Sequence, residues 1–371
     1  MNFNKMFIVV AVTALIMTNQ LLVAKIIVNQ KVEELDTTFY DLTNSLPPGH
    51  AKDGSVDYSE ILREAISQHP KVMFPNFPVL VNHRGISIGS HKTLLFQEKS
   101  ELILAPNDQP AYNILQLRRV ENVTIINPKI TGDKDKHLGK DGQWGFGIGI
   151  FSAENINIIN PVINSCWGDG IYIGKSSDVL TPSRNISIVN ATLVNNRRNG
   201  ISVISVDGLT INKAYIAFTE GHNPMNGIDI EPNGYQDEIR NVKLNNVTTE
   251  SNKGGGILVY LCSMYGGGEK VIDIEVNDHI DINSKHGLRI MSYKLKPELS
   301  GIVKGNIKVN NALWKRNSGD PVNLSHLRDK SVKVQFNSPR IQTSTGRILS
   351  KRKSGDLIKS ANTSQSTIVL K

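Results

Sequence analysis

Residues 155–174 read NINIINPVINSCWGDGIYIG. Three short runs of alternating apolar residues, NINII, VIN and IYI, follow one another here, separated by an Asn-Pro corner and a Gly-containing corner. Alternation at period two makes each run a strand with one face toward an apolar interior. Strands this short have little stability alone, so such a unit has to be covered by copies of itself.

The copies are present. The third run recurs as GIGI at Gly147, GIYI at Gly170, GISV at Gly200, GIDI at Gly227, GILV at Gly256 and GLRI at Gly287, with separations of 23, 30, 27, 29 and 31 residues. The first recurs as NVTIINP from Asn122, NISIVNA from Asn185, GLTINKA from Gly208 and NVKLNNV from Asn241. Three strands per turn at this irregular period predict an all-β right-handed parallel β-helix over residues 111–338. Asn127, Asn160, Asn190 and Asn212, with Asn245 or Asn246 next, share one corner. Asn tolerates the left-handed backbone of a sharp corner, and stacked amides can hydrogen-bond along the axis.

Residues 25–110 hold a cap. VDYSEILREAISQHP from Val56 reads as a helix with an Asp57/Glu60 capping box, an apolar stripe and a stop at Pro70. Laid over the first coil, it would cover an open sheet edge. Residues 339–371 are Ser-, Thr- and Lys-rich and read as a basic, mobile tail or loose C-terminal cover. Residues 1–24, with Lys5 ahead of an apolar run, read as an export signal, or as a membrane anchor if uncleaved. The expected location is therefore secreted, periplasmic or cell-surface.

With 371 residues, 39% of them hydrophobic, the chain can bury a large core, and its formal charge of +8 suits an acidic polymer as partner. No zinc-spaced Cys/His pattern and no aromatic-basic RNA-binding signature accompanies that charge, so acidic polysaccharide is preferred to nucleic acid. Cys166 and Cys262 are too few for a disulfide framework or a metal site and read as small core residues, a single bridge being the alternative.

The helix followed by FPNFPVLV, and the rungs CWGDGIYIG, RRNGISVIS and GIDIEPN, resemble the pectin-lyase-like superfamily of parallel β-helices over about residues 50–335. The resemblance implies polysaccharide chemistry by hydrolysis, elimination or epimerisation, or plain glycan binding, since one scaffold hosts all four. Polygalacturonases have a paired-aspartate rung and a His-Gly rung; here Asp169 is single, and Asn199 with Arg198 stands at the histidine position. A polygalacturonase in the narrow sense is thereby disfavoured.

If Ile228 and Ile230 point inward, Asp229 and Glu231 point out, and the same parity places Tyr172, Ser202, Tyr260 and Arg289 on that outer face. Gly147, Gly149 and the other rung glycines are expected to leave a shallow groove there. Same-face carboxylates two positions apart stand roughly 6.7 Å apart, within the range for a pair flanking a glycosidic bond. Asp229 and Glu231 are therefore the expected catalytic pair, both exposed, with Asp169 as a third member. Arg197, Arg198 and His222 in the entering turns could hold a uronate carboxylate, and Trp144 and Trp167 could stack on a sugar ring. No cofactor is expected; calcium is conceivable on clustered oxygens but has no loop motif.

Overall fold

The computed structural model describes residues 38–361 and 368–371; the expected signal or anchor at 1–24 lies outside the described residues. Each turn of the unit Tyr40–Lys371 contributes one strand to each of three parallel sheets, of twelve, nine and ten strands. The result is a right-handed parallel β-solenoid. The apolar positions of all three sheets meet in one continuous interior that runs from Leu42 to Ile358.

Corners are held by left-handed residues. Asn127, Asn160 and Asn190 have φ of 55°, 53° and 56° at one corner. Their amides form a ladder, Asn160 donating to Asn127 at 2.8 Å and Asn190 to Asn160 at 2.9 Å. Below this the expected register shifts by one residue. Lys213, rather than Asn212, takes the left-handed position, and Asn246 follows it. The lower ladder runs through the preceding asparagines, Asn277 donating to Asn245 at 2.8 Å and Asn310 to Asn277 at 2.6 Å.

The glycines opening the nine-stranded sheet do not bare its outer face, as the sequence suggested. They point inward or along the axis. A Cβ on Gly147, Gly170, Gly200, Gly227 or Gly256 would lie 2.6–2.8 Å from the carbonyl oxygen of the next glycine in the series. The same Cβ on Gly200 would lie 2.1 Å from Ile216, and one on Gly287 would lie 2.0 Å from Trp314. Close approach of neighbouring corners, with ordinary negative φ, is what excludes a side chain there. Nor is Gly149 bare: the Asn113 amide and the Phe151 ring already fill the space beside it.

The N-terminal helix is shorter than expected, Ser59–Gln68, and has no capping box. Asp57 accepts from the Ser59 backbone N–H at 2.9 Å, while Glu60 pairs forward with Arg63 at 2.6 Å. The expected tail is largely ordered structure. A helix at Lys351–Ser360 buries Ser354 and Ile358, and a strand at Ile368–Leu370 extends the twelve-stranded sheet beside Val332–Asn337. Both cysteines are buried and free.

One polar chain lies inside the solenoid wall. Trp314 Nε1 donates to His279 Nδ1 at 3.3 Å, which fixes His279 as the Nε2–H tautomer facing Thr249 Oγ1 at 2.9 Å; Thr249 then donates to Asp281 at 2.6 Å. Burial pushes Asp281 up to about 6.

Two outcomes follow from this packing. Gly227→Ala should cost about 1–3 kcal/mol or more by denaturant unfolding, whereas Gly234→Ala, with open space at its Cβ, should be near neutral. For Asp281, the fold holds the proton more tightly than the unfolded chain does, so its contribution is full below the ordinary carboxylate range and is lost as pH rises through about 6. Asp281→Asn should therefore gain stability relative to wild type as pH is raised from 4 to 7 in parallel melts, about pKa 3.9 marking the unfolded group.

Candidate functional site

The nine-stranded sheet carries the candidate site. Its pairing puts Tyr172, Ser202, Asp229, Leu258 and Arg289 in one outward column, one residue per rung. Glu231 follows two positions beyond Asp229, and Tyr260 two beyond Leu258, so they neighbour one another in the adjoining column. The outward parity read from the sequence is therefore the one the strands adopt.

A second column stands at the corner that enters this sheet. Asp169, Asn199 and Asn226 each precede the rung glycine, and the side chains of the first two reach the next backbone. The Asn199 N–H donates to Asp169 Oδ1 at 3.0 Å, and the Asn226 N–H donates to Asn199 Oδ1 at 2.9 Å. Asn199 also donates through Nδ2 to Ser202 at 3.0 Å and to Asp229 Oδ2 at 3.1 Å. It joins the two columns, a role sequence reasoning missed by treating Asn199 only as a departure from a histidine. The signal was there: Asp169, Asn199 and Asn226 occupy one position relative to the repeated glycine.

Arg198 lies between the acids. Its guanidinium donates to Asp169 Oδ2 at 2.8 Å and reaches Glu231 at 3.9 Å. Exposure separates the members: Asp169 and Asp229 are wholly buried, the Arg198 side chain is 11% exposed and that of Glu231 31%. The expectation that both acids of the pair are exposed is thus corrected for Asp229. The Glu231 charge is the largest influence on Asp229 after burial itself.

Three carboxyls surround one guanidinium here, an imbalance that favours the neutral form of the buried ones. Burial, then the neighbouring Glu231, holds Asp229 well above the ordinary carboxylate range, against the opposing pull of Arg198. Protonated Asp229 can donate from Oδ1, which otherwise has no partner, toward Glu231. Burial also raises Asp169, although Arg198 opposes the shift. For Arg198 itself, burial disfavours the charge, but Asp169, Asp229 and Glu231 outweigh it and raise its pKa. Tyr260, beside Glu231, is pushed up to about 12 by burial first and by nearby Cys262, Tyr293 and Glu231, so it stays a phenol at neutral pH.

The remaining candidates divide. Tyr172 packs on Phe146 at 4.5 Å above Ser202 and borders a cavity of ≈ 430 Å³ with Arg118, Lys175 and Asp237. Arg197 does not reach the groove: it covers the Trp167 ring at 3.6 Å and donates to the Gly142 carbonyl at 2.9 Å. Trp167 is buried between Arg197 and His137, whose ring stacks on it at 3.8 Å, so it offers no free face to a sugar. His222 is tied to the Arg197 loop through its backbone and engages the Asn223 carbonyl, and Trp144, 49% exposed, stands on an earlier rung. Among the described residues, no group of three or more His, Cys, Asp or Glu is arranged to hold a metal ion.

These features define the class: the fold is a right-handed parallel β-helix, with an acid cluster on the outer face of one sheet. No family model matches the sequence. The chain is 26% identical over 273 residues to the SPbeta prophage-derived uncharacterized protein YorA of Bacillus subtilis strain 168, covering 70% of this chain and 44% of that protein. It is 26% identical over 226 residues to the uncharacterized protein YclG of the same organism, covering 53% and 39%. It thus spans less than half the length of these curated relatives. Among solved structures, the mannuronan C-5 epimerase AlgE4 A-module of Azotobacter vinelandii superposes with TM-score 0.57 at 12% identity, over 83% of this chain and 89% of that one. A tailspike mutant of E. coli bacteriophage HK620, bound to a pentasaccharide, gives 0.62 at 12% identity, over 82% and 57%. The tailspike gp49 of Acinetobacter baumannii bacteriophage Fri1, a capsular polysaccharide depolymerase, gives 0.52 at 11% identity, over 91% and 64%.

Asp229→Asn tests the protonation directly, since an amide can accept from Asn199 and donate to Glu231 without losing a proton. The raised pKa means wild type loses stability as pH climbs through it, so the variant should melt at or above wild type at pH 8, with an advantage that shrinks on acidification. Arg198→Ala, which strands Asp169, should cost about 3–5 kcal/mol in the same melts.

Proposed function

We propose that the protein is a polysaccharide-processing enzyme that cleaves an acidic glycan by hydrolysis along the nine-stranded sheet, with Glu231 as the group that exchanges a proton with substrate. The observation that carries this reading is the asymmetry of the acid cluster. Burial and the neighbouring Glu231 favour a proton on the wholly buried Asp229, and of the three carboxyls only Glu231 opens appreciably to the groove. A plain binding surface has no need of a buried, protonated Asp229 behind an exposed carboxylate; a general acid does.

In this reading Glu231 protonates the leaving glycosidic oxygen, and the proton held with Asp229 keeps the pair supplied. Water adds to the anomeric carbon, the bond to the leaving oxygen breaks, and the proton released from water returns to the carboxylate pair. Asp229, Asp169, Arg198 and Asn199 are positioning residues, since they set the protonation and orientation of Glu231. A carbohydrate role is supported by solved structures of the same fold named as an epimerase, a pentasaccharide-bound tailspike and a capsular depolymerase. An extracellular or surface location fits the same reading.

Tyr260 favours a second reading, β-elimination. A phenol that stays protonated beside Glu231 can protonate the leaving oxygen while Glu231 removes the proton next to a uronate carboxylate. The products decide between them, because elimination leaves an unsaturated, ultraviolet-absorbing sugar end and hydrolysis does not.

The assay is incubation with a panel of uronate and capsular polysaccharides, following product size and ultraviolet absorbance. Chains should shorten without new absorbance, and Glu231→Gln should lower the rate by about 10²- to 10⁴-fold while leaving the fold intact. Shortening that survives Glu231→Gln would overturn the assignment, and absorbance growing with cleavage would replace hydrolysis by elimination. The rate should be bell-shaped in pH, falling in alkali as the pair loses its proton and in acid as the ionised carboxylate is lost.

A further inference from the structure

The corner column Asp169–Asn199–Asn226 stops abruptly. At the next rung the equivalent position is Gly255, and one rung further it is His286. The missing side chain leaves a hollow of ≈ 290 Å³, lined in part by Asn226, Lys253, Lys285, His286 and Arg289. Its charged lining is entirely basic. Two donors on lining residues have no acceptor: the buried Nδ2 of Asn226 and the buried Nε of Arg289. Asn226 is only 4% exposed, so its idle amide is enclosed in protein.

Buried donors without partners are uncommon and call for an acceptor. The surrounding charges specify its sign. No ion pair to Arg289, Lys285 or His286 occurs among the described residues, and Lys253 reaches only the exposed Glu220 at 3.8 Å. His286 donates through Nδ1–H to the Asp320 carbonyl at 2.8 Å. Burial, with Arg289 and Lys285 adding to it and Asp320 opposing, holds His286 below its ordinary pKa. An anion in the hollow would reverse that balance.

We infer that this hollow is an oxyanion subsite, which receives a carboxylate, sulfate or phosphate substituent of the polymer while the linkage one or two sugars away lies at Glu231. The placement follows from the sheet: Arg289 pairs with Leu258 and Leu258 with Asp229, so the two are two rungs apart, roughly 10 Å. Arg289 supplies a guanidinium edge, Asn226 the second donor and Lys285 long-range charge. The inference rests on the proposed glycan reading and adds the substrate's charge and its register on the sheet.

The test separates binding from turnover. Calorimetry on the Glu231→Gln protein compares oligogalacturonate, sulfated dextran, a polyol-phosphate polymer and unmodified dextran, with histidine resonances followed by NMR. At least one anionic ligand should bind about 10- to 100-fold more tightly than dextran, the factor expected of charge-assisted hydrogen bonds. That preference should vanish in Arg289→Gln and weaken in Lys285→Gln, and the His286 pKa should rise when the ligand binds; which anion wins identifies the substituent. Equal binding of dextran, or an anionic preference that survives both substitutions with His286 unmoved, would overturn the subsite even if cleavage occurs. Anionic binding through Arg289 without cleavage by the wild type would instead leave the subsite standing and remove the hydrolase. Should Arg289→Gln fail to fold, Lys285→Gln, at an exposed position, carries the comparison.

Discussion

The approach of each rung glycine to the carbonyl of the next is the constraint on which the rest depends. Turns of the solenoid can stack at strand spacing only if their corners nest, and nesting leaves no room for a Cβ along the series from Gly147 to Gly256. Because those corners nest, the residue before each glycine is held in line with its counterparts above and below. That alignment lets Asp169, Asn199 and Asn226 pass hydrogen bonds from side chain to backbone, and it sets Arg198 among three acids. The chemistry of the outer face is therefore built on a packing rule of the inner one.

Electrostatics then sorts chemically similar groups into different roles. Asp229 and Glu231 sit two positions apart at one strand end, yet one is sealed from water and the other opens to the groove. Burial favours the neutral form of the first, and the single guanidinium between the rungs cannot neutralise all three carboxyls. The cluster consequently favours a proton on its buried members and leaves Glu231 as the carboxyl most open to the groove. On the rungs below, the same columns change character: Gly255 removes a side chain, and Lys285 and Arg289 make the local charge positive. An acidic and a basic region thus follow each other along one face.

Much of this was legible in the sequence because a solenoid repeats its evidence. Six glycine-led strands and a set of Asn corners fixed the three-sheet architecture and even the parity of Tyr172, Ser202, Asp229 and Arg289. Burial was not legible. Period-two alternation distinguishes inward from outward but does not say what covers an outward residue, so Asp229 was expected in solvent when Asn199, Arg198 and Glu231 enclose it. Arg197 and Trp167 misled for a related reason: their partners, Gly142 and His137, belong to a loop ahead of the strand Trp144–Phe151, whose path no periodic pattern describes. The ordering of residues 351–360 was missed because polar composition hides a helix that buries only Ser354 and Ile358.

The shift in the asparagine corner has a mechanical consequence. Amide bonds link the turns from Asn127 to Asn190 and again from Asn245 to Asn337, with no such bond through Asn212. The stack therefore has two amide-zippered blocks, and the turns between them are joined by other side chains, Asn199 with Asp229 and Arg240 with Asp207 among them, as well as by sheet hydrogen bonds and core. Asp229 and Glu231 fall within those turns. A polymer lying across them would grip both blocks at once, acting as a splint at the junction the amide ladders leave open.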